Sequence, residues 1–326
     1  MARKRTITDL PTRPDDPRLD GWYHTIELGD GLVSRGHFDH RSVVDLYELP
    51  ASLEGMTVLD AGTMDGFFAF EMERRGAERV VAIDVPSLLE LDIVPANRSR
   101  VIDADVAQHF RVAHALRGSK VEHHDCSIYD LTPERFGTFD LVFCGDVLLH
   151  LQNPVKALDN LRRVTRDVAI ITTVVLPDIE AAHPERPWVQ FGALDYETFP
   201  GEFTGYWLVT RRALQDMLIY AGFEDADISE PFVVPPQAGP VRRVAHAYAS
   251  RTPASALVSA ERRLRQASTE IERAQSEVAR LTAELAETRA SLDAVVQSRR
   301  YRLGERLANA SAPARQVLHR AGRNHR

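Results

Sequence analysis

The sequence predicts an α/β fold built on a mostly parallel sheet, followed by a long C-terminal helical segment. Two observations carry this. The first is Met56 to Val85, where an apolar run (Val58-Leu59) ends at Asp60, turns through Gly62 and Gly66, enters a helical pattern, and returns as a β-branched run, Val80 to Ile83, ending at Asp84. Strand, glycine turn, helix, strand and terminal carboxylate is how a parallel sheet that holds a nucleotide begins. Glycines allow the tight turn, and a helix N-terminus leaves free N–H groups facing the strand ends. The second is a heptad repeat. Leu257, Leu264, Ile271, Val278, Leu285 and Leu292 recur every seven residues, with Ala260, Ala267, Ala274, Leu281, Thr288 and Val295 three positions after each. That is the a/d seam of a coiled coil over 257–296, a helix of about 60 Å at roughly 1.5 Å per residue.

The elements read as follows. Residues 1–20 are polar and proline-bearing and predict a flexible arm. Trp22 to Gly36 alternates around Gly29-Asp30-Gly31, a hairpin or tight turn. It either covers the sheet edge or forms, through Trp22, Tyr23, His24 and Glu27, part of a lid over a site. Arg41 to Leu49 predicts a helix stopped by Pro50. Beyond Asp84 the pattern predicts a helix over Ala104 to Leu116, a strand Val121 to His124 ending at Asp125, and a strand Phe139 to Cys144. A helix follows Asn153-Pro154, and Val168 to Leu176 is a buried-type strand. Pro177 to Gly205 is an aromatic- and proline-rich insertion. A helix Arg211 to Ala221 and two strands, near Asp227 to Val234 and Arg243 to Arg251, complete residues 21–252, the expected globular domain.

The chain has 326 residues and is 44% hydrophobic, enough for a sizeable core. Its net charge of −7 is asymmetric: Arg299 to Arg326 holds eight arginines against one acid, Glu305, leaving about −14 for the rest. Such an acidic body disfavours nucleic acid as the main partner. Cys126 and Cys144 suggest neither a disulfide framework nor zinc spacing, and His123-His124 lacks a third ligand, so no metal is expected. With no apolar run near 18 residues and no apolar core at the N-terminus, the expectation is a cytoplasmic chain without a transmembrane segment.

The first glycine turn departs from the dinucleotide fingerprint, because Met64 and Phe67 stand where its second and third glycines belong. Asp60-x-Gly62-x-x-x-Gly66 instead resembles motif I of class I S-adenosylmethionine (SAM) methyltransferases, although that family usually has a glycine at the position of Met64. The resemblance spans roughly Trp22 to Arg251. Asp84 matches the acidic residue of motif II, and HHDCSIYDL, His123 to Leu131, matches the segment whose acid and next backbone amide hold adenine. Phe139 to Leu158 resembles the fourth-strand motif and its helix. The resemblance implies a Rossmann-like seven-stranded sheet with flanking helices, with SAM as cofactor. It nominates Asp60, Gly62, Thr63, Asp65, Gly66, Asp84, Asp125, Cys126, Cys144 and Asp146 for the cofactor. Within the class, CGDVLLHLQNP and TGYWLVTRRALQDMLIYAGF are similar to the tRNA wobble-uridine carboxymethyltransferase group. Here Leu149 replaces the tyrosine with which that group holds an extra carboxylate, which points to ordinary SAM and a different acceptor.

In-line methyl transfer needs alignment of acceptor, methyl and leaving sulfur, and a base only where the acceptor must lose a proton. His150, just past the fourth strand, is the candidate base or else a packing residue at the helix approach. Asp146 could orient it. His24, Tyr206 and Trp207 are candidates for the acceptor pocket. The expected acceptor is a hydroxyl on a small molecule or saccharide. The alternatives are a tRNA-modifying transferase and a SAM-binding scaffold acting through its coil. The heptads predict a homodimer. The basic tail, 297–326, resembles the Ser-x-x-aromatic-Arg-Leu ends of some bacterial surface-polysaccharide enzymes and could touch an anionic membrane surface weakly.

Overall fold

The structure is a computed structural model that describes residues 10–192, 206–234, 241–250 and 253–321. The N-terminal layer comprises β1 (Asp20–His24), β2 (Glu27–Gly29), β3 (Leu32–Val33) and β4 (Arg35–Phe38). The central elements are β5 (Thr57–Ala61), α1 (Phe67–Arg74), β6 (Arg79–Asp84), α2 (Gln108–Arg117), β7 (Glu122–Asp125), α3 (Pro133–Phe136) and β8 (Phe139–Gly145). They continue as α4 (Pro154–Val164), β9 (Thr165–Val174), α5 (Pro177–Ala182), β10 (Val189–Gly192), β11 (Tyr206–Val209), α6 (Arg211–Tyr220), β12 (Asp225–Ile228), β13 (Arg242–Tyr248) and α7 (Pro253–Ala321).

Seven strands form one sheet in the order β12-β13-β9-β8-β5-β6-β7. Strands β7, β6, β5, β8 and β9 run parallel, while β13 is antiparallel to both β9 and β12. Period-two alternation sorts side chains to the two faces. Leu59, Ala61, Val142, Cys144, Ala169 and Ile171 pack with Leu158 and Leu161 of α4 and Leu214 and Leu218 of α6. Val58, Leu141, Phe143, Ile170 and Val244 pack on the other face with Phe68 and Met72 of α1, Phe110 of α2 and Trp22 of β1. Helix starts follow the local chemistry: Asn153 accepts the Lys156 amide at 3.0 Å, with Pro154 filling the first helical position.

The N-terminal layer differs from the expectation. Leu19 is fully buried and Trp22 Nε1 donates to the Arg18 carbonyl at 2.9 Å, so the described part of the arm from Leu10 onward packs on the body. The expected β2–β3 turn forms around Asp30 and Gly31, both at positive φ. β1 pairs in parallel with β4, a contact that no local pattern announces. The helix expected over Arg41 to Leu49 is a short 3-10 turn, Val44–Tyr47, because Glu48 leaves it in the left-handed region at φ 54°. In the aromatic insertion β10 and β11 form an antiparallel pair, and the residues between them, Tyr196 and Phe199 included, lie outside the described residues.

Two compact units divide the chain, Met1–Arg262 and Arg263–Arg326. The first turns of α7 therefore belong to the body: Val258 and Arg262 are buried, and the Arg262 Nε donates to Glu48 Oε2 at 2.6 Å. By itself, the second unit is helical through Ala321, with Leu264, Ile271, Val278, Leu281, Leu285 and Leu292 exposed along the seam. No helix among the described residues is long and apolar enough to cross a membrane.

Candidate active site

The carboxyl ends of β5, β6 and β8 converge where the chain order reverses across the sheet, the place where open α/β sheets hold ligands. A cavity of about 290 Å³ opens there. Asp60, Gly62, Thr63, Met64 and Asp84 line one part; Gly145, Asp146, Val147 and His150 come from the segment after β8.

The motif I turn is built around two buried carboxylates. Asp60 accepts the Thr63 hydroxyl at 2.7 Å, and Asp84 accepts the backbone amides of Met64 and Val85, each at 2.8 Å. Gly62 sits at φ +84°, and a Cβ there would lie 2.3 Å from Val147 Cγ2. Only glycine lets the turn and the post-β8 segment approach this closely. Burial pushes the Asp60 carboxyl up to about 7 and Asp84 to about 6. Among the described residues neither is shifted down by a cationic side chain, so a cationic ligand such as a sulfonium would supply the missing compensation. The residues present fit SAM, with Asp84 placed as an acceptor for ribose hydroxyls.

Met64 adopts φ 46°, a left-handed conformation that explains why the resembling family carries glycine there. A non-glycine residue in that region costs roughly 1–2 kcal/mol, against roughly 0.5–1 kcal/mol for the freedom glycine loses on folding. Met64→Gly is therefore expected to leave thermal stability equal or slightly higher, and Met64→Val to lower it; thermal melts of both variants check this.

The other nominated residues are placed unequally. Asp65 is buried, but its Oδ2 accepts the amides of Tyr23 and His24 at 2.5 and 2.9 Å, and it does not line the cavity. Its role here is to hold β1 against the motif I loop. Gly66, at φ +91°, opens α1; a Cβ there would strike Phe70 and Phe110. Asp125 ends β7 beside Asp84 in the register, and the Cys126 amide, expected for adenine, donates instead to the Asp84 carbonyl at 2.8 Å. The parallel pairing simply runs one residue further than the sequence pattern suggested. Cys144 packs into the opposite face of the sheet from Phe143, and burial raises its thiol far above the usual value. Neither cysteine lines the cavity.

Asp146, at φ 51°, is held by the Thr172 hydroxyl at 3.2 Å and by an ion pair with Arg242 of β13. Arg242 in turn sits over the Phe38 ring, its guanidinium 5.9 Å from the centroid. His150 lines the cavity from a 3-10 turn, Leu148–His150. Leu149 points away, packed with Val174 and Leu208. Trp207 does not reach the cavity; its Nε1 donates to the Leu151 carbonyl at 2.7 Å and its ring leans on Phe191. Tyr206 lies in β11, with its side chain outside the described residues.

The far end of the cavity comes from residues that sequence reasoning largely missed. Tyr23, His24, Phe38, His40, Tyr47, Phe68, Phe143 and Arg242 line it. Tyr47 Oη lies 3.0 Å from His40 Nδ1, and desolvation holds the His40 imidazole far below its ordinary value. One available signal was the arginine pair opening the apolar strand VRRVAHAY.

Comparison with known proteins bears on the family and the fold. The profile of a methyltransferase-domain family matches residues 36–228, more than half of the chain. Magnesium-protoporphyrin O-methyltransferase of Rhodobacter capsulatus is 32% identical over 143 residues, 43% of this chain and 54% of that enzyme. The match thus spans about half of that relative's length. The N-terminal domain of EvdMO1, crystallised with S-adenosylhomocysteine (SAH) and D-fucose, superposes with a TM-score of 0.50 at 17% identity, covering 72% of this chain and 93% of that domain. The same domain with SAH alone gives 0.50 at 16% identity, with coverages of 72% and 93%. At such identity the likeness is one of fold. The chain belongs to the methyltransferase-domain family.

Proposed function

We propose that this chain is a SAM-dependent methyltransferase that methylates a hydroxyl group of a small molecule or a saccharide. One observation carries the reading: the cofactor-side residues Asp60, Met64 and Asp84 share a single cavity with an aromatic, histidine-bearing end formed by Tyr23, His24, Phe38, His40 and Tyr47. Bound SAM supplies an electrophilic methyl group. The chain's part is to hold the cofactor through Asp84 and the glycine turn, align the acceptor among the rings, exclude water, and take up the hydroxyl proton. The O-methyltransferase name of the curated relative supports an oxygen acceptor. Leu149, buried away from the cavity, supports ordinary SAM over a carboxylated form.

Assembly through α7 belongs to the same proposal. The body grips α7 through Val258 and Arg262, spaced four apart, whereas the a/d seam of Leu264, Ile271, Val278 and Leu285 lies on other positions and is exposed. A second copy of the chain is the occupant that this self-complementary repeat suits.

Methyl-labelled SAM incubated with extract separated into RNA, saccharide and small-molecule fractions tests the acceptor class. Label is expected in saccharide or small molecules; label in RNA alone would overturn the reading.

A further inference from the structure

His24 is placed unlike any other polar group in the site. It is 6% exposed and lines the cavity, yet its Nδ1 is buried with no hydrogen-bond partner. An unpartnered buried polar atom is costly unless a ligand or a reaction uses it. The backbone around it is pinned from several directions. Its N–H donates to Asp65 Oδ2 at 2.9 Å, and its carbonyl accepts the Ser34 hydroxyl at 2.8 Å. Gly36 of β4 lies so close that a Cβ there would come within 2.1 Å of the His24 carbonyl carbon. A side chain held by such a frame keeps its geometry through the reaction.

The surroundings keep the imidazole neutral and so able to accept a proton. Tyr23, His40 and Phe67 put rings against it, and burial lowers its proton affinity to about 4. The charges of Asp65, from the motif I loop, and Asp146, from the segment after β8, oppose that shift. The two carboxylates would offset part of the burial cost of an imidazolium once a proton arrives, while neighbouring His40, which feels the Arg242 charge, stays neutral. His150, by contrast, is only half-buried in its short turn.

We propose that His24, held by Asp65, is the catalytic proton acceptor of this methyltransferase. The inference rests on the hydroxyl-acceptor reading above. As the acceptor oxygen bonds the methyl carbon, the carbon–sulfur bond breaks with its electron pair on sulfur. The hydroxyl proton passes to the His24 imidazole and later to solvent. Asp65 acts as a positioning residue through the backbone of β1, and His150 contributes to the cavity wall.

The test uses the full chain. With the extract fraction that takes label from wild type, His24→Asn is expected to lower kcat by about 10²–10⁴-fold. SAM affinity by calorimetry should stay close to wild type, which also reports on folding. The residual rate of His24→Asn should climb with pH as solvent takes over proton removal, and added imidazole should restore rate to His24→Gly. Independently of any acceptor, imidazole NMR of the SAH complex should show His24 neutral at pH 7. Wild-type kcat in a folded His24→Asn, or an imidazolium at His24 at pH 7, overturns the assignment while leaving the acceptor class standing. Label that never enters a hydroxyl compound removes the acceptor class and the assignment together.

Discussion

Asp84→Ala is expected to weaken SAM binding by about 10–150-fold, the loss of a charged acceptor worth about 1.5–3 kcal/mol. The carboxylate has two tasks. It faces the cavity at the end of β6, and it is the acceptor for the Met64 amide, which holds the strained turn in place. Alanine removes both, leaving a positive-φ residue without its anchor. Asp84→Asn keeps an acceptor oxygen and loses the charge, so it should fall between wild type and alanine. Calorimetric titration with SAM measures all three; a folded Asp84→Ala protein with wild-type affinity would take Asp84 out of the site.

The same carboxylates set a pH dependence of definite sign. Burial raises Asp60 to about 7 and Asp84 to about 6 from 3.8 in the unfolded chain. Across that window the folded, cofactor-free protein binds more protons than the unfolded chain. The contribution of these two groups to stability is therefore greatest on the acid side and falls as pH rises through the folded values. With Asp84 as the proposed ribose acceptor, cofactor affinity is expected to run the other way and to weaken below about pH 6, as Asp84 takes up a proton. Denaturant melts and SAM titrations at matched pH separate the two trends.

The second large effect concerns the root of α7. A chain ending after Thr252 loses Val258 from the core and the Arg262 guanidinium from Glu48 and Asp227. Glu48 would remain half-enclosed beside His246, the partner of a buried pair left behind, at a cost of about 3–5 kcal/mol. Glu48 directly follows Tyr47, a cavity residue, so the site should loosen with it. A chain ending after Thr269 keeps the root and drops most of the seam. The expectation is a strong fall in melting temperature for the first truncation. For the second, the expected result is wild-type stability and SAM affinity with a monomeric mass by light scattering. Equal stability of the two would deny the root its role. A dimeric second truncation would place the interface on the body.

What the residues announced by themselves was local in origin. Glycine at 62 and 66, the apolar runs of β5, β6 and β8, and the acid at each strand end are short-range patterns, so the parallel sheet and the turns at its carboxyl edge were legible in the sequence alone. The heptads of α7 were legible for the same reason, since a seven-residue period needs no long-range partner. The acceptor end was not legible. It depends on pairs far apart in sequence: Asp65 with β1 across 41 residues, Thr172 with Asp146 across 26, and Arg242 with Asp146 across 96. Parity on a strand, one residue either way, sends Phe143 to the cavity and Cys144 to the opposite core. Tyr47 reads as one more apolar residue of a helix, yet the fold ends that helix as a short turn and places its hydroxyl on His40. Side-chain periodicity constrains only which face a residue takes. Which faces meet, and so that His24 is enclosed at the cavity with its Nδ1 unpartnered, was decided by the pairing of β1 with β4.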